Sequence, residues 1–275
     1  MSQHPSNPLQ KALQWIGARW GVSGIHSLNS MRRLVLDAQA PLLAEEYEKA
    51  RIILLEALKF RGSVNDSATI HSLLTSLEAT WLFTEKYDEA IAFFSAYILG
   101  YPEDSTAYPA RGAALWYSGH MQEALHNYCH ALELNPRDPV SLSGRGQVLA
   151  EVGESQKAIE DLNLALREIE NAAVLRLPWA AWYKSLEAFV HNGRGFALAT
   201  LGENGSAMAE FELSIDLCPD NAWVYHNRAQ VHNRAGNREK AYADYQTALG
   251  KKSPALSPIR KRHAETRFLE LTNHA

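Results

Sequence analysis

The sequence has little cysteine, no long apolar run and no strong net charge. Its two cysteines, Cys129 and Cys218, are too few for a disulfide framework, so we expect free thiols in a reducing, cytoplasmic setting. No stretch of about 20 apolar residues could span a bilayer, and residues Met1 to Pro8 lack the basic segment and apolar run of a secretory signal. The net charge of −4 gives no general attraction to nucleic acid or anionic lipid. We therefore expect neither nucleic-acid binding nor membrane insertion.

Motifs of catalysis are also missing. Residues 144–146 place two glycines inside a helical pattern, without the lysine and the serine or threonine of a phosphate-binding loop. No serine or cysteine lies in a recognisable nucleophile elbow, and no spaced carboxylate pair stands out. His126, Cys129 and His130 share one predicted helix and could reach a metal, but no fourth ligand is evident. We expect no metal, no cofactor and no enzymatic activity.

A period of 34 residues runs through the middle of the chain. Ala90, Ala124 and Ala158 stand one period apart. The same spacing relates Gly112 to Gly146, Gly119 to Gly153, Ala131 to Ala165 and Pro102 to Pro136. After a shift of about 15 residues the spacing resumes with Gly202 and Gly236, Ala207 and Ala241, and Phe211 and Tyr245. Such a period predicts stacked pairs of helices, each of which buries its apolar face against its neighbours.

One period shows how the recurring residues would work. Within residues 105–138, Gly112 on a first helix and Ala124 on a second allow the two helices to approach closely, and Tyr128 fills the space beside them. Gly119 can take the positive φ that turns the chain between the helices. The pattern predicts an antiparallel helix pair.

This pattern resembles the tetratricopeptide repeat family, whose repeats have the same length. The resemblance implies an all-α fold, a right-handed superhelical solenoid of antiparallel helix pairs with a helical cap at each end. It places repeats at residues 71–104, 105–138, 139–172, 188–221 and 222–255. The first of these is degenerate, because Glu78 stands where a small residue belongs.

The segments around these repeats have their own predictions. Residues 1–30 contain an amphipathic pattern, formed by Leu9, Leu13, Ile16 and Trp20, that we interpret as an N-terminal capping helix. Residues 31–70 predict a degenerate hairpin, and residues 256–275 a C-terminal capping helix and tail. Residues 173–187 interrupt the array 71–255, and the first helix after this insertion is expected to begin two or three turns early.

In the family, the first helix of each pair lines the concave surface. The corresponding positions here are aromatic, rich in amides and nearly uncharged, which fits an extended or helical segment of a partner protein. The residues expected to bind such a partner are Trp116, Tyr117, Gln147, Asn192, Phe196, Trp223, His226, Asn227, Gln230 and Arg234. The carboxylate clamp of some family members is not expected, because Pro109, Ala113 and Gly144 occupy matching places.

An aromatic stripe near the insertion allows a second interpretation. Trp179, Trp182, Tyr183 and Leu186 would lie on one side of the early helix, where they either pack inside the chain or form a homodimer interface. The leading hypothesis is a non-catalytic adaptor that binds a partner segment in its groove. The alternatives are a self-associating assembly element, or a secretion or assembly chaperone, that uses residues 179–189, and a metal-dependent protein that uses the His126 cluster.

Overall fold

The computed structural model of the chain describes residues 24–174, 180–251 and 258–272. Within these ranges the regular structure is helical and contains no strand. The segment from Leu9 to Trp20 predicted as the N-terminal capping helix lies outside them, as does Trp179. Contacts divide the chain into two compact units, Met1–Ser118 and Gly119–Ala275, which are described separately.

The first unit is built from six helices in its described part. They are α1 (Gly24–Asp37), α2 (Gln39–Leu43), α3 (Tyr47–Leu58), α4 (Ser67–Phe83), α5 (Tyr87–Gly100) and α6 (Ala107–Tyr117), with a 3₁₀ turn at Arg61–Ser63. Pro41 lies in α2, where the first helical segment is interrupted. Asp66 caps α4 by accepting a hydrogen bond from the backbone N–H of Thr69 at 3.1 Å. Leu54, Leu77 and Phe94 belong to one continuous apolar core.

The second unit contains eight helices in its described part. They are α7 (Met121–Leu134), α8 (Pro139–Glu151), α9 (Ser155–Val174), α10 (Ala180–Thr200), α11 (Asn204–Leu217), α12 (Ala222–Arg234), α13 (Arg238–Gly250) and α14 (Pro258–Thr272). Helices α8 and α9, α10 and α11, and α12 and α13 pack as pairs, and the first helices of these pairs, α8, α10 and α12, are successive neighbours. Asp138 caps α8 by accepting from the N–H of Ser141 at 2.8 Å, with Pro139 in the first turn.

Left-handed residues form several of the turns between consecutive helices. Gly119, Gly153, Gly202 and Gly236, the four glycines that recur in the sequence, have φ values of 94°, 92°, 83° and 76°. In the first unit the same kind of turn is made by Glu45 and Glu85, with φ values of 59° and 55°. A side chain in this region carries a steric cost that glycine avoids.

Small residues also stand where paired helices come closest. A Cβ atom added to Gly146 would lie 2.7 Å from Cγ of Leu162, and one added to Gly195 would lie 2.7 Å from a ring carbon of Phe211. Glu78 occupies the corresponding position of the repeat on α4. Although part of this residue remains exposed, burial raises the pKa of its carboxyl to about 8. The carboxyl is therefore largely protonated at neutral pH.

Candidate functional site

Most of the predicted partner-binding residues lie on the adjacent helices α8, α10 and α12. These are Gln147, Asn192, Phe196, Trp223, His226, Asn227, Gln230 and Arg234. Arg234 is exposed, whereas Phe196 and Gln230 are partly buried and the other five are buried. We call the face of α8, α10 and α12 that carries Gln147, Asn192 and Asn227 the amide face. The remaining two, Trp116 and Tyr117, are buried on α6 of the first unit.

Amide side chains connect the three helices of the amide face. Gln147 on α8 donates from Nε2 to the carbonyl oxygen of Phe189 on α10 at 2.7 Å. Asn227 on α12 donates from Nδ2 to Oδ1 of Asn192 on α10 at 3.0 Å. Gly193 makes the first contact possible, because a Cβ at that position would lie 2.2 Å from Nε2 of Gln147.

Two side-chain atoms of the amide face have no hydrogen-bond partner among the described residues. They are the acceptor Oε1 of Gln147 and a donor, Nδ2 of Asn192, and both side chains are fully buried. An unpaired buried polar group costs about 1–3 kcal/mol. The amide face therefore contains one buried donor and one buried acceptor that an internal water molecule, or a ligand that moves these side chains, could satisfy.

A histidine pair connects α12 of the amide face with the C-terminal helix α14. Nε2 of His226 lies 3.0 Å from Nδ1 of His263 on α14, and Nε2 of Gln230 lies 3.3 Å from Nδ1 of His226. Nδ1 of His226 also lies 3.4 Å from Oδ1 of Asn227, so both ring nitrogens have hydrogen-bond partners. Burial, His263 and the charge of Arg260 lower the pKa of His226 to about 3. Burial, together with the charge of Arg267, also lowers the pKa of His263.

Arg260 on α14 reaches the edge of the amide face. Its Nη2 donates to Oε1 of Glu151, the last residue of α8 and 109 positions earlier in the chain. Its guanidinium carbon lies 4.6 Å from the centre of the Trp223 ring, and that ring lies 5.5 Å from the ring of Phe189. The side chains of Arg260 and Glu151 are only 11% and 14% exposed. The chain thus fills this part of its own predicted binding surface.

The fold can be compared with solved structures. No family model matches the chain. A structure of the APC/C hetero-tetramer Cut9–Hcn1 superposes with a TM-score of 0.63 and 14% identity, over 96% of this chain and 45% of that one. TTC0263, a thermophilic TPR protein of Thermus thermophilus, gives a TM-score of 0.50 and 19% identity, over 74% of this chain and 98% of that one. The chain has the tetratricopeptide repeat fold.

A curated relative covers a smaller part of the sequence. Protein FlbA of Caulobacter vibrioides is 30% identical over 122 residues, which are 44% of this chain and 18% of that protein. The chain therefore spans less than half the length of the Cut9–Hcn1 chain and less than a fifth of FlbA. The solved structures establish the fold.

Ion pairs that the sequence prediction missed hold the tetratricopeptide repeat pairs together. In each pair of the second unit, an arginine on the first helix binds a carboxylate 16 residues later on the second helix with two hydrogen bonds. The pairs are Arg145 with Asp161 at 2.6 and 2.7 Å, Arg194 with Glu210 at 2.9 and 2.6 Å, and Arg228 with Asp244 at 2.8 and 2.7 Å. The 34-residue spacing from Arg194 to Arg228, and from Glu210 to Asp244, was a signal for them. These charges are neutralised within each pair.

The aromatic stripe is only partly described. Tyr183 and Leu186 pack against the apolar core that contains Leu132 and Ile169. Burial, followed by the charge of Asp138, raises the pKa of the Tyr183 hydroxyl. These two residues are thus engaged within the second unit. Trp179 and the side chain of Trp182 lie outside the described residues, so their role in a homodimer stays a prediction.

The histidine and cysteine cluster lies on α7. His126 and Cys129 are exposed, and Nδ1 of His130 lies 2.9 Å from a carboxylate oxygen of Glu133. Across residues 24–174, 180–251 and 258–272, no group of three histidine, cysteine, aspartate or glutamate residues is placed to hold a metal ion. None of the helices in these ranges is long and apolar enough to cross a membrane.

Proposed function

We propose that the chain is a non-catalytic protein-interaction module that binds a segment of a partner protein at the amide face. The observation that carries this proposal is the unpaired donor and acceptor of Asn192 and Gln147. A peptide group presents one acceptor and one donor, so a backbone segment that moves these two buried side chains as it enters beside α8 and α10 would complete both hydrogen bonds. The gain is large because each atom is otherwise buried without a partner.

The charges of the surrounding repeats favour the same kind of ligand. Arg145, Arg194 and Arg228 are each neutralised by a carboxylate of their own helix pair, and Arg234 lies exposed at the end of α12. The buried part of the amide face is therefore polar but carries little free charge. Neutral amides beside the aromatic ring of Phe196 suit a protein backbone better than a phosphate or a nucleic acid. The Cut9–Hcn1 structure, in which a chain of the same fold is part of a hetero-tetramer, supports assembly with another protein.

The proposal can be tested with matched glutamine variants. A partner captured from native lysate is identified by mass spectrometry, and its affinity is then measured by titration calorimetry. Gln230 lies at the amide face and is partly exposed, whereas Gln246 is exposed on α13, the second helix of the same pair. We expect Gln230→Ala to weaken binding about tenfold, the effect of one lost hydrogen bond and its packing. Gln246→Ala is the control and should bind as the wild type does.

Circular dichroism of both variants checks that helical content is unchanged. Equal affinities of Gln230→Ala, Gln246→Ala and the wild type would contradict binding at the amide face. If only variants of the first unit, such as Tyr117→Phe, lose binding, the binding site lies in that unit and not at the amide face.

A further inference from the structure

The C-terminal helix presents a basic side chain to the surface proposed for partner binding. Arg260 lies between Glu151 at the end of α8 and Trp223 at the start of α12, two residues that come from different repeats. Trp223 was expected to contact a partner, yet its ring is 1% exposed because Arg260 and Phe189 lie against it. The place where a ligand side chain would enter is thus filled by the chain itself.

The geometry points to a subsite for an arginine side chain, formed by Glu151 and Trp223, that Arg260 fills until an arginine of the partner segment displaces it. This inference rests on the proposed function, because it names the side chain that a segment bound at the amide face would carry. The partner is therefore a protein segment that contains arginine.

The chemistry of the subsite selects arginine over lysine. The guanidinium group is planar, so one face can lie over the Trp223 ring while a nitrogen in its plane donates to the Glu151 carboxylate. A lysine ammonium is a compact charge and does not provide a flat face for the ring. Because Glu151 is largely buried, a cation beside it stabilises the carboxylate. An incoming arginine supplies that cation as Arg260 leaves.

Displacement does not require the C-terminal helix to detach. The apolar contacts that hold α14 come from later turns of the same helix face, where Ala264 and Leu271 are buried with Tyr245 of α13. The Phe268 ring also stacks on Tyr242 of α13 at 4.7 Å. A change in the side-chain conformation of Arg260 is therefore enough to open the subsite.

A chemical rescue experiment tests the subsite directly. The full chain is labelled with fluorotryptophan, and the Trp223 resonance is assigned with Trp223→Phe. In Arg260→Ala the subsite is open, so N-acetyl-arginine methylamide should shift this resonance saturably. The wild type and Arg262→Ala, a variant of an exposed arginine on the same helix, should bind the probe at least about tenfold more weakly because Arg260 competes.

Two controls define the expected chemistry. N-acetyl-lysine methylamide should give a much weaker response, and the double variant Glu151→Gln with Arg260→Ala should not respond to the arginine probe. No saturable shift in Arg260→Ala, or an equal response to the lysine probe, would overturn the arginine subsite. In that case the contact of Arg260 with Glu151 only fixes α14.

Affinity for the captured partner separates this inference from the proposed function. If both hold, Arg260→Ala strengthens partner binding and Glu151→Gln weakens it, each by about tenfold. If Gln230→Ala weakens partner binding while Glu151→Gln has no effect, the proposed function stands and the arginine subsite is wrong. If the arginine probe binds Arg260→Ala but neither Gln230→Ala nor Glu151→Gln changes partner binding, the subsite stands and the amide face is not where the partner binds.

Discussion

Acidification should destabilise the contact between the amide face and the C-terminal helix through His226. The groups that face this imidazole are His263 and Arg260 of α14, Asn227 and Gln230 of its own helix, and the Tyr245 ring of α13 at 6.0 Å. Burial, the neighbouring His263 and the charge of Arg260 lower the pKa of His226 to about 3. None of the facing groups is an acid that would stabilise the charged imidazolium at this pH.

The sign and size of the effect follow from proton linkage. Unfolded His226 has a pKa of 6.5, so the unfolded state takes up the proton first and the free energy of unfolding falls as pH drops from 6.5 towards 3. At pH 5 the unfolded state has gained about 1.5 pH units of protonation free energy, or about 2 kcal/mol. The lowered pKa of His263 acts in the same direction. Above pH 6.5 the effect disappears.

Two measurements check this prediction. A histidine titration by NMR should show the His226 ring neutral at pH 5, and hydrogen exchange should show weaker protection of α12 and α14 at pH 5 than at pH 7, after correction for intrinsic exchange. His226→Gln should remove most of this pH dependence, whereas His126→Gln, which changes an exposed histidine of α7, should retain it. A His226 ring that titrates near 6.5, or the same pH dependence in both variants, would refute the reasoning.

The backbone and the buried polar groups give further predictions. Gly202→Ala should destabilise the chain by about 1 kcal/mol, because its φ is 83° and an added Cβ meets no atom that could compensate. Glu85→Gly should stabilise the chain by about 0.5–1 kcal/mol, because glycine adopts the positive φ of this turn without the steric cost of a side chain. Both shifts can be measured as changes in urea midpoint, and opposite signs would contradict the argument. Gly193→Ala should lower the free energy of unfolding by about 1–3 kcal/mol, since its Cβ would displace the Gln147 amide from its hydrogen bond to Phe189. A crystal structure of the variant with that hydrogen bond intact would disprove this. Burial raises the pKa of Glu78 to about 8, so the stability of the chain should fall as the pH rises from 4.5 to 8. Thermal melts of Glu78→Gln should show no such loss.

Local rules were enough to predict the helix pairs. Gly153 and Gly202 recur because a left-handed turn is needed after each first helix, and Gly146 recurs because two helices meet there. Such requirements act on single positions, so the sequence shows them directly. The turns at Glu45 and Glu85 could not be predicted in this way, because glutamate is an ordinary helix residue and only the tertiary structure holds it in the left-handed region.

The candidate site depended on contacts that no local pattern contains. The period placed Gln147, Asn192 and Asn227 on first helices, but their burial follows from how neighbouring repeats pack. The contact of Arg260 with Glu151 joins residues 109 positions apart, across several helix pairs and outside the repeat period. A sequence pattern records what each repeat needs, whereas this contact depends on where the last helix lies.

Two sets of arginines in the second unit differ in where their carboxylate partners lie. Arg145, Arg194 and Arg228 each bind a carboxylate of the same helix pair, so their charges remain balanced whatever happens at the C-terminus. Glu151 is bound instead by a side chain of α14, which belongs to no repeat. Arg260 thus balances this charge from outside the repeats. Since a buried carboxylate that loses a cation is destabilised, a change at the C-terminal helix is coupled to the amide face through Glu151.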